Sequence, residues 1–119
     1  MPNYKSLQVT THALDIVEDV YDATCGFPSD ERYGLSSQMR RAAVSIGANI
    51  AEGAGRGGDR EFARFLRIAR GSVHELEFEV LTGLKLGILS KDIADELQAS
   101  LEEQSRMLSG LIRKLSSSS

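Results

Sequence analysis

The stretch REFARFLRIARGSVHELEFEVLTGLKL, Arg60–Leu86, decides the fold. Its apolar residues recur at alternating spacings of four and three, which places them on one face of a helix. This seam consists of Phe62, Leu66, Ala69, Val73, Leu76, Val80 and either Gly83 or Leu84. A helix of about 27 residues is ~40 Å long at the α-helical rise. The stretch therefore predicts one long amphipathic helix, which Gly87 ends.

Three further segments have the same periodicity. Over residues 7–25 the seam is formed by Val9, Ala13, Ile16, Val20 and Ala23. Over residues 36–54, where Ser36 or Ser37 can serve as the N-cap, it is formed by Met39, Ala43, Ile46 and Ile50. Over residues 91–115, after an N-cap at Ser90, it is formed by Ala94, Leu97, Leu101, Gln104, Leu108, Leu111 and Leu115. These segments predict three more amphipathic helices.

The predicted connections are short and rich in turn residues. Gly26 and Pro28 end the first helix, because glycine serves as a C-terminal cap and proline does not continue a helix. Glycines at positions 53, 55, 57 and 58 break the chain before the third helix, over 60–86, which Asp59 can cap. The serines at 116–119 are expected to be disordered. The 119 residues thus predict a single all-α domain, an antiparallel up-down-up-down four-helix bundle.

Composition and motifs exclude several classes of protein. Neither a signal-peptide h-region nor a run of ~18 apolar residues is present, and the single cysteine, Cys25, suits a reducing compartment. A cytoplasmic protein without membrane contact is expected. His74 and Glu77 have ligand spacing but make only two ligands, and no phosphate loop or nucleophile elbow occurs. We expect no enzyme, no catalytic residue, no metal and no cofactor.

The second helix carries a ridge of small residues, Ala43, Gly47, Ala51 and Ala54. Two interpretations of this ridge remain open. It can form a tight contact inside the bundle, or it can belong to a subunit interface. The second interpretation rests on a further apolar flank, which makes the helix apolar over more than one face and is formed by Ala42, Val44, Ala48 and Ala51. Self-association is therefore expected.

Charge is divided unevenly along the chain. Residues 32–70 contain eight arginines, no lysine and three acids, a net charge of +5, whereas the rest of the chain carries −8. Arginine binds phosphate bidentately, so a row of arginines on one helix face is a candidate nucleic-acid footprint. The candidate contacts are Arg40, Arg41, Arg56, Arg60, Arg64, Arg67 and Arg70. Purely structural ion pairs and contact with an acidic protein partner are the alternatives.

Two polar residues of the second helix, Asn49 and Glu52, share a face close to its apolar seam. Glu52 can pair with Arg56 in the favourable acid-first order. Because polar groups near the core must be hydrogen-bonded, both side chains are expected to anchor a helix end or the turn between Gly53 and Asp59.

The segments FPSDERYGLSSQMRRAAVSIGANIAEGAGR and EFARFLRIARGSVHELE resemble the family of small proteins encoded in intervening sequences of bacterial 23S rRNA genes. The matching positions are Phe27, Pro28, Glu31, Tyr33, Gly34, Leu35, Gln38, Arg40, Arg41, Ala42, Ser45, Ile46, Asn49, Ile50, Ala51, Glu52, Gly53, Gly71, Ser72, Glu75 and Leu76. The family often has proline where this chain has Gly47.

The resemblance implies a four-helix bundle that assembles as a ring of five subunits without enzymatic activity. The family also looks related to the accessory proteins of diversity-generating retroelements, whose pentamers bind nucleic acid and work with a reverse transcriptase. The predicted function is therefore non-enzymatic binding of nucleic acid, RNA before DNA. The alternative is a protein-interaction scaffold with structural arginines.

Overall fold

A computed structural model describes residues 4–117, with side chains from 7 to 116. The described chain contains no strand, and it forms four α-helices and one short 3₁₀ helix at Ser29–Glu31. The α-helices are α1 (Tyr4–Cys25), α2 (Leu35–Ala54), α3 (Asp59–Lys85) and α4 (Lys91–Ser117). The predicted all-α class with four helices is confirmed.

Each helix packs against two others, in the cyclic order α1, α2, α3, α4. Side-chain contacts fix the directions. Thr24 lies beside Arg40, Ser45 beside Ser72, and Arg70 beside Ser109, so neighbouring helices are antiparallel. Helices α1 and α4 close the bundle through His12, whose Nε2 lies 2.9 Å from the Ser100 carbonyl oxygen. The described chain measures 47 × 23 × 18 Å, so the two 27-residue helices α3 and α4 set its length.

The core is built from the predicted seams. All four apolar residues of the α2 seam are 0–1% exposed, and the seam of α3 is equally buried from Leu66 to Val80. Near the end of α3 the seam continues through Gly83 rather than Leu84, which is 36% exposed. Gly83 is buried because Leu35 and Leu89 lie within 3.4 Å of the position that a Cβ atom would occupy.

One polar side chain lies inside this apolar core. Gln104 of α4 is 0% exposed, and its Nε2 donates a 3.3 Å hydrogen bond to the carbonyl oxygen of Val9 on α1. Its Oε1 accepts no hydrogen bond from the described residues. A buried amide with one unpaired oxygen reduces stability, so the α1–α4 contact contains a local defect.

Two helix ends differ from expectation. The N-cap of α2 is Gly34 rather than Ser36 or Ser37, and the carboxylate of Glu31 accepts the Leu35 N–H at 3.1 Å. Likewise α3 begins at Asp59 and has Gly58 as its N-cap. The prediction of capping from serine or aspartate was wrong at both places, because the residue at the N-cap is a glycine, which has no side-chain acceptor. Only at Ser90 does the predicted hydroxyl cap accept a backbone N–H, that of Ile93 at 3.3 Å.

The end of α3 contains the turn that sequence predicted at Gly87, which has a φ of 73°. The Ile88 N–H bonds the carbonyl oxygen of Gly83 at 2.9 Å, and the Gly87 N–H bonds that of Leu84 at 3.1 Å. This pair of bonds is a Schellman motif, and its left-handed residue favours glycine.

The predicted end of α4 at 115 is two residues too early, and the expected disorder of the 116–119 tail stays a prediction. Helix α4 continues through Ser117, because half-buried Leu115 packs against the core and holds the chain in helical register. The remaining two serines lie outside the described residues.

Candidate nucleic-acid interface

The seven candidate arginines do not form one continuous row. The bundle divides them into a pair on α2, Arg40 and Arg41, and a larger group at the other end of the α2–α3 hairpin. The division follows from the antiparallel packing of α2 and α3, because Arg40 lies near the start of α2 while Arg60 lies at the start of α3. Each group has its own surroundings and its own partners.

The first group borders a groove between the end of α1, the connection at 29–34 and α2. Arg40 is half-buried, and its Nε donates a 2.8 Å hydrogen bond to the hydroxyl of buried Thr24. Its guanidinium also lies 4.5 Å from the ring centre of Tyr21. Arg41, one residue later, is exposed and makes no ion pair with any residue in the described range.

The second group begins at the turn between α2 and α3. Arg56 pairs with Glu52 at 2.8 Å and Arg64 pairs with Glu61 at 3.1 Å, both on the surface. Both guanidinium groups lie over the ring of Phe65, at 5.0 and 4.6 Å. The hydrogen bond from Arg64 is the main reason why the pKa of Glu61 lies below its usual range. These two arginines are already engaged within the chain.

The other side of α3 faces α4. Arg60 and Arg67 are exposed, line a shallow groove with Leu115, and have no ion pair among residues 7–116. Arg70 is half-buried and donates a 3.0 Å hydrogen bond to the hydroxyl of Ser109 on α4. The predicted row from Arg56 to Arg70 thus contains two exposed unpaired arginines, Arg60 and Arg67.

A polar contact joins α2 and α3 in the middle of the bundle. The hydroxyl oxygens of Ser45 and Ser72 are 2.9 Å apart. Asn49 donates to the carbonyl oxygen of Ser45 at 2.9 Å and to its hydroxyl at 3.1 Å. The predicted role of Asn49 as an anchor of the following turn was therefore wrong, because its amide points back along α2. Glu52 does reach the turn, through Arg56.

Two glycines of the family pattern have different environments. Gly53 is buried inside α2, and a Cβ atom there would lie 2.6 Å from the Cβ of Phe65. It therefore permits close packing of α2 on α3 and does not break the chain, contrary to prediction. Gly71 is exposed, and a Cβ atom there would meet nothing within 4 Å.

Two carboxylates of α3 lie one turn apart beside α2. Glu75 is exposed and borders a groove with Arg41 and Gln38. Glu79 is only 5% exposed, and its Oε1 has no hydrogen-bond partner in the described part of the chain. Burial, and to a smaller extent the charge of Glu75, raises the pKa of Glu79 to about 7. The sequence pattern did not single out Glu79, because its burial depends on how α3 rotates against α2.

Sequence reasoning also missed two tyrosines beside the α2 arginines. Tyr21 and Tyr33 border the same groove as Arg40 and Arg41, although α1 and the connection contribute them. The one sequence signal for this group of residues was Arg32, because it stands next to an aromatic residue, Tyr33, in the chain. The tyrosines and the two arginines belong to different elements of the chain, and the packing of α1 and the connection against α2 brings them to one groove.

Within the described residues, no three His, Cys, Asp or Glu side chains are grouped so that they could hold a metal ion. His74 lies 2.8 Å from Glu77 on the surface of α3, which is a pair and not a cluster. None of the helices, as far as they are described, is long and apolar enough to span a membrane.

The fold and the surface together define a small all-α protein with four antiparallel helices and exposed, unpaired arginines. The chain belongs to the 23S rRNA-intervening sequence protein family, whose sequence pattern matches residues 5–110. It is similar to a protein with unknown function from the S23 ribosomal protein family of Bacteroides thetaiotaomicron VPI-5482, solved as a crystal structure at 1.70 Å resolution. The TM-score is 0.84 at 20% identity, over 92% of this chain and 98% of the other. No curated protein matches the chain.

Proposed function

We propose that this protein is a non-enzymatic, nucleic-acid-binding homo-oligomer of the cytoplasm that prefers RNA to DNA. The observation that carries the proposal is the state of Arg41, Arg60 and Arg67. All three are exposed and lack an ion pair within the described residues, although the chain has 17 acidic residues for 14 basic ones. Arginines that stay unpaired beside an excess of carboxylates keep their full set of donors for an external anion.

Phosphate is the anion that best fits these side chains. A guanidinium group donates two parallel hydrogen bonds to phosphate oxygens, and charge-assisted bonds of this kind are stronger than neutral ones. Arg40 is held by Thr24 and Tyr21, so it would lose little conformational freedom on binding.

Self-association is supported by the uncovered flank of α2. Val44 is 47% exposed, and Ala48 and Ala51 are exposed beside it, whereas Ala42 is buried inside the bundle. A second copy that covered this flank would remove apolar surface from water, and the groove that Val44 and Ala48 also line would lie at the edge of this contact. A closed ring needs a head-to-tail contact that repeats, and we propose five subunits because of the family resemblance.

A protein-interaction scaffold is the second candidate function. Arg56 and Arg64 pair with carboxylates of the same chain, and Arg40 and Arg70 bond hydroxyl groups. Four of the seven candidate arginines thus have partners already. If all seven candidate arginines serve in protein contacts of this kind, the protein would bind no nucleic acid. Its exposed arginines would then pair with acidic groups of another protein.

Binding of the purified protein to structured RNA and to DNA of the same sequence, measured from low to high salt, tests the proposal. When binding depends on phosphate contacts, the logarithm of the binding constant falls linearly with the logarithm of the salt concentration. The slope is about 0.7 to 0.9 per phosphate contact. The double variant Arg60→Gln/Arg67→Gln is expected to bind more weakly at low salt, with a slope reduced by roughly 1.4 to 1.8.

The control is Arg106→Gln/Arg113→Gln, which removes two exposed charges from α4, one of them paired with Glu102 and Glu103. It is expected to bind almost as well as the unaltered protein. Absence of RNA binding even at low salt would refute the proposal and favour the scaffold. Equal losses in both double variants would show that net charge, and not this surface, governs binding.

A further inference from the structure

We propose that the groove between α1, the 29–34 connection and α2 binds one unpaired nucleotide of an RNA strand. In this arrangement the base stacks on Tyr33, and Arg40 and Arg41 hold the adjoining phosphates. The inference rests on the proposed RNA binding and adds to it the place and the kind of RNA that is recognised.

The lining of the groove is cationic and aromatic. The groove has a volume of about 680 Å³ and is lined by nine residues, among them Tyr21, Arg32, Tyr33, Arg40 and Arg41. This volume is within the usual range for small-molecule sites. None of the nine residues is acidic, whereas each of four other grooves on the described chain includes at least one carboxylate. The groove therefore suits an anion better than they do.

Tyr33 presents an open ring at the edge of the groove. It is 87% exposed, and the guanidinium of Arg32 lies 5.5 Å from its ring centre. The backbone beside it is ordered by Glu31, whose carbonyl oxygen accepts the Gly34 N–H at 3.0 Å and whose carboxylate accepts the Leu35 N–H at 3.1 Å. An exposed aromatic ring on a hydrogen-bonded turn is a stacking platform for a base.

The arginines of the groove are placed for the backbone of the same nucleotide. The bond of Arg40 to Thr24 uses only its Nε, so its two terminal nitrogens keep their donors, and the side chain lines the groove. Arg41 has no partner among the described side chains and reaches the same groove. Phosphate contacts of this kind supply affinity, and stacking of the base makes the site prefer an unpaired strand to a duplex.

The combination favours an unpaired strand over a duplex. In an A-form helix the bases are stacked on each other, so a protein ring meets them only in loops, bulges and ends. A single tyrosine beside cationic side chains therefore discriminates by strand form more than by sequence. Contact with duplex RNA would be limited to its phosphates.

Fluorescence of a short single-stranded RNA that contains one 2-aminopurine tests the site, with the full chain as it assembles. We expect binding to change the 2-aminopurine emission, and Tyr33→Leu to weaken affinity roughly 5- to 150-fold, the equivalent of one lost stack. Tyr33→Phe keeps the ring and is expected to bind like the unaltered protein. Circular dichroism checks that both variants fold.

The outcomes separate this inference from the proposed function. If RNA binds with salt dependence but Tyr33→Leu binds like Tyr33→Phe, the nucleotide site is overturned while RNA binding stands. If a blunt duplex binds as tightly as the single strand, the site is likewise overturned. If no RNA binds at all, both proposals fall. Stronger binding of a poly-glutamate peptide than of RNA would assign the groove to an acidic protein and overturn the inference.

Discussion

Gly53 and Phe65 mark a close contact between α2 and α3. A Cβ atom built on Gly53 would lie 2.6 Å from the Cβ of Phe65 and 3.1 Å from the ring of Phe62. A Cβ atom cannot rotate away from such a contact, so any other residue would force the helices apart. Because the guanidinium groups of Arg56 and Arg64 lie over Phe65, this contact also sets their position.

The first prediction compares Gly53→Ala with Gly47→Ala. Gly53→Ala is expected to lower the free energy of unfolding by about 1–3 kcal/mol, the usual cost of overpacking a core. Gly47→Ala would place its Cβ 3.7 Å from the Cβ of Ala13, an ordinary contact. It is expected to raise stability by up to ~1 kcal/mol through helix propensity. Urea denaturation measures both changes, and equal effects would contradict the packing argument.

The second prediction concerns pH and Glu79. Its folded-state pKa of about 7 lies above the ordinary value of 4.5, so folding favours the protonated carboxyl. The protonated carboxyl therefore makes its full contribution to the free energy of unfolding below pH 4.5. This contribution is lost as the pH rises through about 7. The glutamine of Glu79→Gln stays neutral, so this variant is expected to be more stable than the unaltered protein at pH 8 by roughly 1–3 kcal/mol.

Urea denaturation at pH 5 and pH 8 measures this effect as the difference between the two proteins at each pH. Glu75→Gln is the control, because it removes the smaller, charge-based cause and leaves the burial. It is expected to shift the pH dependence only slightly. If Glu79→Gln has the same pH profile as the unaltered protein, burial does not raise the pKa of Glu79 and the prediction is wrong.

The third prediction concerns the buried amide of Gln104. Gln104→Met keeps the approximate shape and removes the unpaired Oε1, so stability is expected to be unchanged or higher by up to about 2 kcal/mol. Gln104→Ala leaves a cavity and is expected to be less stable by roughly 2–4 kcal/mol. Thermal and urea unfolding measure both. A large loss in Gln104→Met would show that the bond to Val9 outweighs the unpaired oxygen.

The fourth prediction concerns self-association through the flank of α2. Ala48→Glu would place a carboxylate on this flank, and burying an unpaired charge in an interface is costly. The variant is expected to dissociate to smaller species, which light scattering after size-exclusion chromatography detects. Ala99→Glu makes the same change at an exposed position of α4 and is expected to assemble normally. Assembly of Ala48→Glu at full size would place the interface elsewhere.

The faces of the helices could be predicted from the sequence. The seam of α2, Met39 to Ile50, and that of α4, Ala94 to Leu111, are buried as the spacing indicated. Helical periodicity is a local property, because each residue turns by the same angle from the last. The Schellman turn at Gly87 is equally local, since a few consecutive backbone bonds define it.

The candidate site could be predicted only in its residue types. Arginines on α2 and α3 were evident, but the sequence could not separate unpaired Arg60 from ion-paired Arg64. It also did not associate Tyr21 with Arg40, or show that Glu79 is buried. Such contacts depend on the axial register and rotation of one helix against another, which the packing of the whole bundle decides. Local periodicity thus determined four helices and their inner faces, and tertiary packing decided which polar groups meet.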